Sequence, residues 1–144
     1  MIRVQKQDFD PGAELELLRS HCAGQAGAVV SFTGLVRDLN EGDAIAQLTL
    51  EHYPGMTEKA LAEIEAHAIG HWNLVAATVI HRIGPLAPND RIVFVAAASA
   101  HRKDAFSACE YMIDTLKTAA PFWKKEDTPG GKRWVTAAEE PVSS

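Results

Sequence analysis

The stretch HRKDAFSACEYMIDTLKTAAPFWKKE, residues 101–126, decides how this chain folds. Within it Ala105, Phe106, Cys109, Met112, Ile113 and Leu116 recur at three- and four-residue spacing, the repeat that lines one face of a helix. That stripe is the expected core face of a helix beginning near His101. Pro121 stops it, because the residue before a proline is pushed out of the helical region. Phe122 to Glu126 then reads as a strand in which aromatic rings stand beside cations. His101 and Arg102 stand at the helix N-terminus, where unpaired backbone N–H groups and the positive dipole end favour an anion. Lys117 stands at the other end, so cations bracket the helix.

Working back from this stretch, Ile2 to Lys6 alternates as a short strand, and Asp10-Pro11 has the form of an N-cap with proline at the first helical position. Leu15, Leu17 and Leu18 carry that helix to about Cys22, before Gly24 and Gly27. Ala28 to Val36 is a β-branched, apolar run, and Gly34 inside it marks a bulge or the close approach of another group. After a polar turn from Arg37 to Asp43, Ala44 to Tyr53 is expected to be the hairpin partner of that run. Pro54-Gly55 breaks the strand, and Thr57 opens a helix with Leu61, Ile64 and Ala68 on its buried side, expected to end near Gly70. Val75 to Ile83 and Arg91 to Ala98 are two further strands joined by the turn formers Gly84 to Asp90. Arg133 to Thr136 offers a last one. The order βα ββ α ββ α ββ predicts an α+β fold with a mixed, largely antiparallel sheet and packed helices, in one domain spanning 1–144.

A chain of 144 residues suits one packed domain. Its net charge of -5 argues against a nucleic-acid binder working by bulk charge. The cations are local: Arg102, Lys103, Lys117, Lys124, Lys125, Lys132 and Arg133 make up half of the 14 basic residues, which fits a small anionic ligand. The two cysteines, Cys22 and Cys109, form no CxxC, so a reducing cytoplasm is expected. No apolar run approaches the ~20 residues of a membrane span, and MIRVQKQDFD lacks a signal-peptide core.

Several features that could carry chemistry have a plainer reading. His67 and His71 share a helix face at four-residue spacing, but the glutamate of HExxH and a third ligand are missing, so no metal site is expected. The glycine pairs match no nucleotide-binding loop. Cys109 on the apolar stripe behaves as a small hydrophobe. Lysines beside Phe122 and Trp123 can lose hydration and drop in pKa, which suits a proton donor, or they can simply face water from a strand whose rings face the core. Arg37 can be a phosphate ligand or an ordinary surface arginine.

FTGLVRD at 32–38, LTLEHYPGMTEKAL at 48–61, VIHRIGPL at 79–86, SAHRKDAF at 99–106 and LKTAAPFWKKE at 116–126 closely resemble, in order and spacing, the catalytic (large) subunit family of molybdopterin synthase. The resemblance implies a hammerhead-like subdomain within the α+β fold. It implies an enzyme that converts cyclic pyranopterin monophosphate into molybdopterin, using sulfur from the C-terminal Gly-Gly thiocarboxylate of a small ubiquitin-like subunit. No redox cofactor is called for. A homodimer carrying one small subunit at each end, a heterotetramer, is implied as well. Carried over by match, Leu35, Val36 and Arg37, then His101 and Arg102, contact the phosphate and pterin, and Lys117 and Lys124 are catalytic, with Lys125 and Glu126 alongside. Lys125 stands where the family often has arginine, and Thr136-Ala137-Ala138 stands where a basic residue is expected after Arg133-Trp134-Val135. His101 and Lys117 are sixteen residues apart, roughly 24 Å along one helix, so both can touch one small substrate only if each comes from a different subunit. A docking module without catalysis and an unrelated phosphate-ester enzyme are the competing readings.

Overall fold

The computed structural model describes residues 1–40, 43–44, 47–120, 122–128 and 131–136. In chain order the elements are β1 (Ile2–Gln5), α1 (Pro11–Ser20), β2 (Ala28–Leu35), β3 (Leu39–Asn40), β4 (Asp43–Ala44), β5 (Gln47–His52) and α2 (Met56–Trp72). Then come β6 (Ala76–Arg82), β7 (Gly84–Leu86), β8 (Arg91–Ser99), α3 (Arg102–Ala119), β9 (Phe122–Thr128) and β10 (Gly131–Thr136). The α+β class and the mixed, largely antiparallel pairing are as expected, and β1 with β6 is the parallel pair. The strands divide into two four-stranded sheets, β1-β6-β8-β2 and β10-β9-β5-β7, with β3 and β4 as a small pair of their own.

Alternation along β6 and β8 explains the layers, since successive strand residues face opposite sides of a sheet. Val79, Val93, Val95 and Ala97 face α2 and α3, where they pack with Leu61, Ala68, Cys109 and Met112. Ile80, Phe94, Ala96 and Ala98 face the other way, against Phe9, Leu18 and Cys22 of the α1 layer. Burying side chains of this size contributes about 1.5–3 kcal/mol each. The larger cluster also takes in Leu48 and Leu50 of β5, Leu86 of β7 and Phe122 of β9, so the second sheet shares its core with the end of α3.

The caps follow the sequence closely at one helix and depart at another. Asp10 accepts from the Gly12 N–H at 3.0 Å, the N-cap read from Asp10-Pro11. Helix α2, by contrast, runs through Gly70 to Trp72 and ends on Asn73, whose φ of 51° is left-handed. Asparagine tolerates that conformation, and the Leu74 N–H closes the end on Ile69 O at 3.1 Å.

Three other expectations need correction. β5 is not the hairpin partner of β2; it pairs with β7 and β9 in the second sheet. The reason is local: β2 shifts register between Gly34 and Leu35, and Val36 is tied to the 87–90 loop, which takes the chain off the first sheet. Gly84-Pro85-Leu86, read as turn, forms the short strand β7 against Leu48 to Leu50. Phe106 is not on the core stripe: it is 62% exposed, and Ala108 is buried in its place. About 100° per residue carries Phe106 to the margin of the stripe centred on Ala105, Cys109, Met112 and Leu116. Gly34 fulfils both readings, because a Cβ there would lie 2.6 Å from Val93 Cγ1 beside the register shift.

Candidate active site

The turn carrying Leu35, Val36 and Arg37 is fixed from the opposite loop. The Val36 N–H donates to Asp90 O at 2.9 Å and Val36 O accepts from the Asn89 N–H at 2.7 Å. Val36 is buried by this clamp, and Leu35 and Arg37 project on either side of it as exposed residues. Arg37 is thereby brought to the C-terminal end of α3, where its charge acts on Lys117. These residues are eighty positions apart in sequence.

Lys117 is half-buried in the last turn of α3, beside Leu116 and Ala120 of the core. Its ammonium is held below the ordinary lysine pKa, first because burial strips its water and also because Arg37 repels it; Asp114, one turn back, opposes both. This is the environment of a lysine able to give up a proton. Asp114 keeps that tendency in check.

From Ala120 the chain passes into β9. Phe122 is buried, and the His81 ring stacks on it with centroids 3.8 Å apart at 19°. His81 itself is pinned by a 2.7 Å contact between Nδ1 and Arg82 O. His81 thereby anchors the start of the strand that bears Lys124, about forty residues away. The side chains of Lys124, Lys125 and Glu126 lie outside the described residues, but the backbone register is defined. Lys124 pairs with Leu50, Lys125 with Thr49 and Glu126 with Leu48. Paired residues of antiparallel strands share a face, so position 124 lies on the side of buried Leu50 and position 125 on the opposite side.

His101 and Arg102 occupy the other end of α3 and are exposed. His101 is the N-cap residue and makes no side-chain capping bond, so its ring is not spent on its own helix. The entry is set by close backbone packing: a Cβ at Gly27 would run into the Ala100 carbonyl oxygen, and the Gly27 N–H donates to Ser99 O at 2.9 Å. Helix α3 is unbroken from Arg102 to Ala119, about 27 Å long, so within one chain the two cation groups stay at opposite ends. The structure brings Arg37 to Lys117 and keeps His101 and Arg102 apart from them.

The alternative sites are poor ones. Cys109 is buried and its thiol is pushed up to about 11 by desolvation, which leaves no thiolate nucleophile near neutral pH. The His67 and His71 rings stack with centroids 5.7 Å apart, and Tyr111 closes on His67 at 4.9 Å, an aromatic surface cluster. No group of three metal-ligating side chains occurs among the described residues.

Fold and site together define an α+β protein that gathers basic side chains at the ends of one helix, in a form suited to a small anionic ligand. The chain belongs to the MoaE protein family, whose model matches residues 4–119. It is 58% identical over 136 residues to the molybdopterin synthase catalytic subunit of Ralstonia nicotianae, covering 94% of this chain and 77% of that one. It is 57% identical to the Pseudomonas aeruginosa subunit of the same name, covering 93% and 89%. The solved MoaE protein of Burkholderia ambifaria superposes with a TM-score of 0.83 at 51% identity, covering 95% of this chain and 89% of that one.

Proposed function

We propose that Lys117 and Lys124 carry the proton transfers of molybdopterin synthesis in this chain, with Arg37, His101 and Arg102 binding the substrate's phosphate and Leu35, Val36, Lys125 and Glu126 lining the site. Membership of the MoaE family gives the chain a sulfur-transferring role in molybdenum cofactor biosynthesis. The substrate is cyclic pyranopterin monophosphate, and the sulfur comes from the thiocarboxylated tail of a small ubiquitin-like subunit. The chain acts as one domain over 1–144, as a homodimer within a heterotetramer, in the cytoplasm. No helix among the described residues is long and apolar enough to cross a membrane.

The observation that carries this reading is the half-buried Lys117, held below the ordinary lysine pKa by burial and within reach of the Arg37 charge. Opening a cyclic phosphodiester needs cations and helix N-terminal amides, which hold the charge that develops on oxygen. Setting sulfur on the pterin side chain needs a thiocarboxylate held in place and a proton for each leaving oxygen. A lysine whose ammonium is destabilised by burial gives that proton more readily than one in water. No cysteine nucleophile is required, because the partner brings the sulfur.

The test is to mix the purified protein with the pterin precursor and a thiocarboxylated small subunit. Dithiolene-bearing product is expected only when all three are present. Conversion without the thiocarboxylate would assign the chain to phosphate-ester chemistry, and binding of the small subunit without product would reduce it to a docking module.

A further inference from the structure

Strand β2 pairs with β8 as far as Leu35, which lies opposite Arg91 beyond the register shift. Val36 then leaves the ladder, and its N–H and its carbonyl are both bonded to the 87–90 loop. Arg37, exposed and next in the chain, is therefore placed by the shape of that loop. Placement matters because Arg37 and Lys117 carry like charge. Two like charges move apart unless the backbone beneath them is held.

The loop is built to hold it. Ala87-Pro88-Asn89-Asp90 has the type II turn pattern: the Asp90 N–H donates to Ala87 O at 3.0 Å, Pro88 presets φ at the second position, and Asn89 takes a φ of 75° at the third. Asparagine is one of the few residues that visit this left-handed region routinely. The Asp90 carboxylate closes the same turn a second time, Oδ2 accepting from the Ala87 N–H at 2.9 Å. Beneath the turn, Arg91 donates to the Asp8 carboxylate at 2.7 Å and Arg82 donates to Arg91 O at 2.9 Å, which fixes its base. What the turn offers to Val36 is the Asn89 N–H and the Asp90 carbonyl. The backbone torsions of Asn89 and Asp90 lie between that donor and that acceptor, so the two groups point at Val36 together only while the turn keeps its shape.

We propose that Asn89 and Asp90 are positioning residues of this enzyme, holding Arg37 through Val36 at the C-terminal end of α3, within reach of the substrate's phosphate and of Lys117. The inference rests on the reading above, in which Arg37 binds phosphate and Lys117 transfers a proton. Asn89 acts by its backbone conformation and Asp90 by the second closure of the turn. Neither acts by touching substrate.

The test pairs a loosened turn with the loss of Arg37. Asp90→Ala removes the second closure, and Asn89→Val puts a β-branched residue at positive φ, at an exposed position where the larger side chain meets no core. Each should lower kcat/KM for the pterin precursor roughly 10-fold or more, since a displacement of about 1 Å remote from the chemistry can cost ~10²-fold. In an Arg37→Ala background the same changes should cost no more than ~2-fold, because residues that act through one another are not additive. Conservative variants should rescue: Asn89→Gly adopts the angle freely and Asp90→Asn keeps an acceptor oxygen, so both should stay near the wild-type rate. Losses that add in full to that of Arg37→Ala, or an Asn89→Gly as poor as Asn89→Val, overturn the proposal.

The second readout needs no substrate. The Arg37 charge and burial lower the Lys117 pKa while Asp114 raises it, so an NMR titration of the Lys117 ammonium in the free protein reports where Arg37 stands. Asn89→Val, folded by circular dichroism and neutral at the mutated position, should move the midpoint up as Arg37→Ala does, with no further rise when the two are combined. Asn89→Ala, milder at the same angle, serves if the valine variant does not fold. A midpoint left in place by Arg37→Ala or by the Asn89 variant overturns the positioning. Midpoints raised by both, with kcat/KM indifferent to Arg37→Ala, keep the positioning and remove the phosphate-binding reading.

Discussion

The two ends of α3 carry the same charge in opposite settings. At the N-terminal end His101 and Arg102 are exposed, beside helix N–H groups that nothing in the helix satisfies. At the C-terminal end Lys117 is half-buried against core residues, with Arg37 close by and Asp114 as counter-charge. An exposed basic side chain keeps its water; it can hold a phosphate but gains little by reacting. A half-buried one has already lost part of its hydration, so it exchanges a proton at lower pH. On the proposed roles, phosphate binding draws on His101 and Arg102 at one end and Arg37 at the other, and proton transfer on the half-buried end alone. This division assigns the roles better than either group of residues does alone.

The division breaks most visibly if the C-terminal end proves dispensable. Lys117→Ala and Lys124→Ala should each lower product formation by at least ~10²-fold, the scale for losing a positioned acid, with the fold intact by circular dichroism. Near-normal turnover of both variants at saturating small subunit would take proton transfer away from this end.

Complementation asks whether the two ends meet across subunits. His101→Ala and Lys117→Ala chains, each inactive alone, should regain activity when mixed, since every mixed dimer has one site with both residues intact. Random exchange leaves about a quarter of wild-type sites functional. Mixed dimers that stay dead, with exchange verified by mass spectrometry, would confine the site to a single chain.

How much of this could be read without coordinates depends on sequence distance. Helix α3 and the Asp10 cap follow from patterns spanning a few residues, and so does the double meaning of Gly34; Pro121, read as the stop of α3, lies outside the described residues. The placement of β5 does not, because its partners lie in β7 and β9, and pairing across such distances leaves no local trace. Phe106 was misread because periodicity alone cannot tell a residue at the centre of a stripe from one at its margin, when the margin hangs over a sheet edge. His101, Arg102 and Lys117 stand out from the helix pattern and Arg37 from its turn, whereas Leu35 and Val36 are named from the resemblance alone. What sequence withheld was their grouping: Arg37 brought within electrostatic reach of Lys117 by the clamp of Val36 on Asn89 and Asp90, and the far pair kept away by an unbroken helix.

A smaller effect separates neighbours on β9. Position 124 shares a face with buried Leu50, and position 125 shares one with partly exposed Thr49. Lys125→Ala should therefore lower turnover by no more than ~10-fold where Lys124→Ala loses ~10²-fold or more. Comparing their kcat values decides the facing, and a larger loss at Lys125 would invert it.

The smallest effect is on stability, and it has the opposite sign to the effect on catalysis. Lys117 has a folded pKa below its ordinary value. Above the ordinary value the side chain is neutral folded or unfolded, and it adds no pH dependence. As pH falls through the window between the ordinary and the folded pKa, the unfolded chain takes up the proton first, so stability declines. Below the folded pKa the full penalty persists. Replacing Lys117 by methionine keeps most of the stem and deletes the charge, relieving both the desolvation and the repulsion from Arg37. Against this, Asp114 loses a partner, and the half-exposed position lets solvent screen every one of these contributions. The balance favours a rise in Tm of about 1–2 °C at pH 7 for Lys117→Met, shrinking as pH is raised toward the ordinary lysine value. Differential scanning calorimetry at several pH values reads this directly. A lower Tm at pH 7 would mean that the ammonium is better satisfied in the free protein than its burial implies, and the site would then hold its proton too tightly to donate it.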